Sequence, residues 1–164
     1  MTELFKYSEA PDRGMAIEDP VASALSHLQG QTNYALVGRS AVAAYAPLEQ
    51  RMKAPVEVVG DITHPSVVRA QQSILFDDAI IREAQTAGIA YGNEKYAVRV
   101  AKPEFLVAIA LAENLRFGRD AAILFKTFGL ELRFEEVRNL LENHPRYEEM
   151  FSAIARVFYE FNHQ

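Results

Sequence analysis

The chain has 164 residues, of which 49% are hydrophobic, and this is typical of one compact globular domain rather than a disordered protein. Its 22 acidic and 17 basic residues give a net charge of -5, which argues against general nucleic-acid binding. The absence of cysteine excludes disulfides, thiolate zinc sites and cysteine nucleophiles. The longest apolar run, Phe105 to Ala112, is far shorter than the roughly 20 residues that span a bilayer, and no signal segment opens the chain. We therefore expect a cytoplasmic protein without membrane contact.

The chain begins with a polar segment and a helix. Residues 1–18 are mostly polar and are predicted to form a flexible arm. Asp19 followed by Pro20 is typical of a helix start, because aspartate caps the first turn and proline fits its first position. Apolar residues at helical spacing follow, and Gly30 is expected to end this helix.

Two short apolar runs predict buried strands at residues 34–37 and 56–60. Residues 40–45, which lie between them, are expected to form a helix that a following proline ends. Another helix is expected after Pro65, through residues 67–71. The pattern up to this point is a mixture of helices and strands.

A helix and a hairpin are predicted next. The two aspartates at 77–78 can cap a helix over residues 79–87, which a glycine would end. The dipeptide Gly92-Asn93 separates two stretches rich in strand-forming residues, 89–91 and 96–101, and this arrangement is typical of a β-hairpin.

The rest of the chain shows a helical pattern only. Residues 105–115 are apolar almost all round, as in a buried helix, whereas 134–141 and 150–158 are amphipathic. We therefore expect an α+β fold, in which a mixed sheet with flanking helices occupies residues 19–102 and a helical part, residues 103–164, packs on that core.

The strongest local signal for a binding site is the turn Gly38-Arg39-Ser40, which leads from a predicted strand into a helix. Glycine permits the tight turn, and the unpaired N–H groups at a helix N-terminus attract anions such as phosphate. Ser40 can cap this helix or hydrogen-bond a phosphate oxygen. Because such turns are also common connectors, an ordinary structural role stays open.

Three longer stretches share a pattern with a known superfamily. They are Tyr34-Ala-Leu-Val-Gly-Arg-Ser-Ala-Val-Ala-Ala-Tyr45, Arg51-Met-Lys-Ala-Pro-Val-Glu-Val-Val59 and Val100-Ala-Lys-Pro-Glu-Phe-Leu-Val-Ala-Ile-Ala-Leu-Ala112. Together they resemble the polymerase-beta-like nucleotidyltransferase superfamily, most of all its small bacterial members related to abortive-infection (AbiEii-type) toxins. Arg119-Asp120 also matches a helix start of that family. The resemblance implies a nucleotidyltransferase-like sheet, a nucleotide or other phosphate-bearing ligand, and a toxin–antitoxin or phage-defence context.

The chain departs from this superfamily at the metal-binding positions. The family carries two aspartates, one residue apart on a strand, and they hold the divalent metal used in phosphoryl transfer. The first aspartate falls on Pro55 and the second on Glu57. The family's second turn glycine falls on Arg39 and its threonine on Lys53, and the strand expected to carry a third acid has Arg99 instead. One carboxylate holds Mg²⁺ weakly, because this ion prefers several hard oxygen ligands.

The local charge at this predicted site is more positive than in the family. Arg39, Arg51 and Lys53 are expected to lie close together near Glu57, where they form either an anion pocket without metal or ordinary ion pairs with this carboxylate. We expect a catalytically inactive protein that acts as a binding or regulatory module and needs no cofactor. The expected ligand contacts are Gly38, Arg39, Ser40, Arg51 and Lys53.

Two alternatives stay open. An active nucleotidyltransferase would hold Mg²⁺ with Glu57 and a recruited carboxylate, Asp61 or Asp78, although four residues of strand separate Glu57 from Asp61 by about 13 Å. Alternatively, the aromatic C-terminal helix, Tyr147 to Phe161, is the working surface of a structural protein that binds a partner protein or a second copy of itself.

Overall fold

The computed structural model describes residues 19–70, 77–113, 119–143, 145, 147–149, 152 and 155–156. The predicted arm at residues 1–18 and most of the aromatic C-terminal segment lie outside the described residues. The elements are α1 (Pro20–Leu28), β1 (Tyr34–Leu36), α2 (Gly38–Tyr45), β2 (Val56–Gly60), β3 (Val67–Arg69), α3 (Asp77–Arg82), β4 (Gln85–Tyr91), β5 (Glu94–Val100), α4 (Pro103–Glu113), α5 (Arg119–Phe128), a 3₁₀ turn (Gly129–Glu131) and α6 (Phe134–Leu141).

The five strands form one mixed sheet in the order β3-β2-β1-β5-β4, which confirms the predicted α+β class. The central strand β1 runs antiparallel to β2 and parallel to β5, and its three residues are all buried. The register places Leu36 beside Val58 on one side and Val100 on the other. This pairing brings the end of β1, where the Gly38 turn begins, next to the start of β2.

The helices after the sheet complete the core around α2. Helix α5 packs against α2, and α4 packs against both α5 and α6. Residues 105–109 of α4 are all buried, because this helix is enclosed by its neighbours on most sides. None of the helices within the described ranges is long and apolar enough to cross a bilayer.

The predicted start of α1 is confirmed. Asp19 Oδ1 accepts hydrogen bonds from the N–H groups of Val21 and Ala22 at 2.8 and 3.3 Å. Its other carboxylate oxygen accepts the Tyr91 hydroxyl at 2.8 Å, and this hydrogen bond is the main reason why the pKa of Asp19 is lowered. The cap therefore also ties α1 to the end of β4.

One predicted helix is wrong, and another is shorter than predicted. The segment after Pro65 forms strand β3, because Val67 and Val68 pair with β2 in a parallel ladder that local sequence does not reveal. Helix α3 ends at Arg82 instead of continuing to residue 87. The hairpin around Gly92-Asn93 is confirmed, but its register continues for seven pairs to Gln85, so residues 85–87 belong to β4.

Candidate functional site

The Gly38 turn and β2 meet at one point of the sheet. Gly38 has a φ of +60°, a conformation that glycine adopts without the cost other residues meet. The Val37 N–H donates to the Glu57 carbonyl oxygen at 3.0 Å, so the turn is fastened directly to β2. The Glu57 carboxylate lies over Gly38 so closely that a Cβ at Gly38 would collide with Oε1. Residue 38 must therefore be glycine for two reasons: its positive φ and the close approach of the Glu57 carboxylate.

Ser40 has a structural role in addition to the phosphate contact predicted for it. Its hydroxyl accepts the backbone N–H of Glu57 at 2.9 Å, and the residue is buried, with 4% of its surface exposed. The residue at the N-cap of α2 is Val37, which supplies no side-chain cap, so the predicted cap at Ser40 is wrong. Ser40 instead fixes α2 against β2 and thereby sets the position of Glu57.

The Glu57 side chain turns back onto the N-terminus of α2. Its carboxylate accepts the backbone N–H of Arg39. Burial is the largest influence on this carboxyl and raises its pKa, and the nearby Asp120 carboxylate raises it further. The charge and the N–H of Arg39 act in the opposite direction but do not cancel these effects. Glu57 consequently binds a proton more readily than an exposed glutamate does.

A cavity of about 220 Å³, here called the carboxylate cavity, lies between α2, β2, α4 and α5. Its polar end contains the Glu57 and Asp120 side chains beside Gly38 and Arg39, and its other walls are apolar. Those walls are formed by Val42, Leu106, Ile109, Ala110 and Leu124. The cavity thus combines a pair of acids with an apolar surface.

A second cavity of about 210 Å³, here called the basic cavity, adjoins the first through Arg39 and Glu57. Its lining also includes Arg51 and Lys53, so the predicted proximity of the three cations is confirmed. The expected ion pairs are not formed: among the described residues, neither Arg39 nor Lys53 has a carboxylate oxygen within ion-pairing distance. The remaining lining residues are Ser40, Gln50, Ala54 and Pro55.

Asp120 is the residue that the sequence predictions missed. Asp61 and Asp78, the acids considered as partners of Glu57, line neither cavity. Asp120 reaches the site because α5 packs on α2, and Arg119 fixes the start of α5 by donating to the Glu49 carbonyl oxygen at 3.3 Å. The available signal was the Arg119-Asp120 pair at a helix start, which resembled a family motif. In the described parts of the chain, no group of three or more potential metal ligands is present.

Arg99 does not belong to either cavity. Its Nε donates to the Tyr34 carbonyl oxygen at 3.2 Å, and its guanidinium also donates to the Ile81 carbonyl oxygen. This arginine therefore connects β5 to β1 and α3. Arg99 therefore has a structural role in this chain.

Comparison of the chain with protein-family models, with curated proteins and with solved structures gives no significant match.

Proposed function

We propose that this chain is a non-catalytic binding or regulatory module whose basic cavity takes a phosphate-bearing ligand. The observation that carries the proposal is the convergence of Arg39, Arg51 and Lys53 on one cavity, without ion pairs to neutralise them in the described ranges. Arginine binds phosphate through a planar fork of N–H donors, and lysine adds a mobile point charge. A protein with a net charge of -5 that gathers cations in one cavity is suited to an anionic ligand.

The ligand contacts in this proposal come from side chains rather than from the N-terminus of α2. The Arg39 N–H is already bound to the Glu57 carboxylate, and the Ser40 hydroxyl already accepts the Glu57 N–H. Glu57 therefore occupies the position at which a helix N-terminus would hold a phosphate. Phosphate binding is left to the three cations, with Gln50 as a neutral donor at the same cavity.

A nucleotidyltransferase-like fold and a toxin–antitoxin or phage-defence context are part of this proposal. Their support is the resemblance of the three stretches described above. The resemblance implies a glycine turn beside an acidic strand, and Gly38 and Glu57 do lie side by side. Such a module would bind a nucleotide and report its presence to a partner, without transferring the phosphoryl group.

Titration calorimetry with ATP and with inorganic triphosphate, in EDTA and at low salt, tests the proposal. We expect binding that weakens with rising salt and falls at least tenfold in Arg51→Glu and in Lys53→Glu, because each variant replaces a ligand contact with a repelling charge. Lys95→Glu makes the same charge change at an exposed position on β5, outside both cavities, and is expected to bind normally. Equal affinities in all four proteins, or an equal loss in Lys95→Glu, would refute the proposal.

A second candidate function, metal-dependent nucleotidyl transfer, is favoured by the Glu57–Asp120 pair in the carboxylate cavity. The two carboxylates fit a Mg²⁺ ion that keeps several waters and takes its other ligands from phosphate oxygens. Glu57 and Asp120 would hold this ion, which would supply charge stabilisation to the transferred phosphoryl group. Arg39 lies between the two cavities and would orient the phosphates.

Metal dependence separates the two functions. The binding module predicts that triphosphate affinity is the same in EDTA and in Mg²⁺, and that Asp120→Asn binds normally. The transferase predicts affinity that rises strongly with Mg²⁺ or Mn²⁺, falls in Asp120→Asn, and is accompanied by incorporation of α-labelled nucleotide into protein or RNA. The incorporation assay requires Glu57→Gln as the inactive control.

A further inference from the structure

Among the strands that the structure describes, β4 forms one edge of the sheet, and its seven residues include no charged residue and no proline. Exposed edges are usually protected against pairing by charges, proline, bulges or very short strands. The opposite edge, β3, is only three residues long and ends with Arg69. Strand β4 lacks these protections and is therefore the edge at which another strand can add.

The hydrogen-bonding pattern shows which groups of β4 face outward. In an antiparallel pair, opposite residues share one state: both point their N–H and C=O at each other, or both point away. The N–H groups of Ala97 and Arg99 point away from β4, since they donate to the Gln29 side chain at 2.9 Å and the Tyr34 hydroxyl at 3.0 Å. Their partners are Gly88 and Thr86, which therefore point outward.

Ala90 has the same phase as Gly88 and Thr86 because it lies two residues further along the strand. The three residues are all exposed, and the N–H and C=O groups of each have no partner within the described residues. The outward N–H and C=O groups of these three residues are spaced symmetrically about Gly88. The same three residues of an antiparallel second copy therefore place a C=O opposite each N–H and an N–H opposite each C=O.

We infer that β4 pairs antiparallel with β4 of a second copy of this chain, around a two-fold axis at Gly88. Gly88 then lies opposite Gly88 of the second copy, and Thr86 lies opposite Ala90 of the second copy. All outward N–H and C=O groups are satisfied, which makes about six hydrogen bonds across the axis. The interface is isologous, as in most homodimers. None of the three residues that pair across the axis lines the basic cavity.

Charge and size both permit this approach. Two copies with a net charge of -5 repel each other, and an uncharged strand is the surface on which that repulsion is smallest. The three residues that point outward carry small side chains. A Cβ added at Gly88 meets only the aliphatic part of Lys95, at 3.8 Å, so this part of the edge is not crowded.

A groove beside β4 supplies additional contact area. A seven-residue strand is about 24 Å long, and its edge alone covers much less than the roughly 800 Å² per partner of a standard interface. The groove has a volume of about 340 Å³, and its lining combines the apolar side chains of Leu48 and Met52 with Tyr91 and the cation Arg51. Leu48 is 95% exposed, and a second copy at the edge would cover it. We therefore expect dimerisation of micromolar rather than nanomolar strength.

Sedimentation velocity over a wide concentration range tests the pairing, with paired charge variants to test its register. Thr86→Glu/Ala90→Glu places like charges opposite each other across the axis, whereas Thr86→Glu/Ala90→Lys places opposite charges there. Within one chain, Thr86 and Ala90 face Arg99 and Lys95, so the Glu/Glu variant gains favourable neighbours and should fold. We expect a concentration-dependent dimer for the wild type, a monomer for Glu/Glu and a dimer for Glu/Lys.

Cross-linking gives a second test, because the chain has no cysteine of its own. Facing Cα atoms of a hydrogen-bonded pair are about 5.5 Å apart, within the range that a disulfide or a short thiol cross-linker spans. Gly88→Cys is expected to form covalent dimers on oxidation, and Val68→Cys on the opposite edge is not. A wild type that stays monomeric, equal behaviour of the two charge variants, or cross-linking at Val68→Cys alone would overturn the inference. A foreign peptide that binds β4 while the chain stays monomeric would overturn it as well.

Discussion

Replacing Gly38 by alanine tests the geometry of the site most sharply. An L-residue at a φ of +60° costs about 1–2 kcal/mol in backbone energy. The new Cβ also displaces the Glu57 carboxylate from the Arg39 N–H, and a hydrogen bond to a charged group contributes about 1.5–3 kcal/mol. The free energy of unfolding should therefore fall by about 2.5–5 kcal/mol. For a chain of this length, the loss corresponds to a decrease in Tm of roughly 5–20 °C.

Gly129→Ala is the matched control for this measurement. Gly129 has a similar φ of +54°, but nothing lies within 4 Å of its added Cβ, so only the backbone cost of about 1–2 kcal/mol is expected. A double-mutant cycle with Glu57→Ala isolates the collision, because removal of the carboxylate leaves the Cβ at residue 38 nothing to displace. Denaturant unfolding should give a coupling energy of about 1.5–3 kcal/mol. If Gly38→Ala costs no more than Gly129→Ala, or the cycle is additive, Glu57 does not lie over Gly38 as described.

Three further substitutions test other parts of the account. Glu57→Gln should be more stable than the wild type at pH 7 but not at pH 4. Burial and Asp120 raise the pKa of Glu57 above its ordinary 4.5, so the wild type loses stability as the pH rises above 4.5 and the buried carboxyl ionises. Thermal unfolding of both proteins at the two pH values measures this difference. Ser40→Ala should lower the free energy of unfolding, measured by chemical denaturation, by about 1–3 kcal/mol, because the Glu57 N–H loses its acceptor. A smaller decrease would mean that another acceptor replaces Ser40. Arg99→Met should cost a similar amount, because the Tyr34 carbonyl oxygen loses its side-chain donor and the Ile81 carbonyl oxygen keeps only the Ala84 N–H. Triphosphate affinity should stay unchanged, and a change in affinity would contradict the structural role of Arg99.

Local signals in the sequence were sufficient for several elements. Asp19-Pro20 predicted the start of α1, and Gly92-Asn93 predicted the hairpin, because a helix cap and a two-residue turn depend on a few neighbouring residues. Strand β3 could not be predicted in this way. Its parallel pairing with β2 decides its conformation, and a proline followed by Val67 and Val68 fits a helix or a strand equally well from sequence alone.

The candidate site was predicted only in part, because local sequence does not reveal contacts between distant parts of the chain. Arg39, Arg51, Lys53 and Glu57 lie within 19 positions of one another, and the antiparallel pairing of β1 with β2 brings them together. Asp120 is far away along the chain and reaches Glu57 only through the packing of α5 on α2. No spacing rule connects these two acids. The sequence therefore indicated a single carboxylate, where the folded chain has a pair.

The most direct test of the central claim is an NMR titration that follows the backbone amide chemical shifts while ATP is added in the presence of EDTA. The account predicts shifts that saturate with ligand and cluster at residues 39–40 and 50–57, the segments that line the basic cavity. It also predicts little change in α6, which contributes no residue to either cavity. Saturable shifts that centre elsewhere, or no shifts at millimolar ATP, would contradict the claim that this cavity binds a phosphate-bearing ligand.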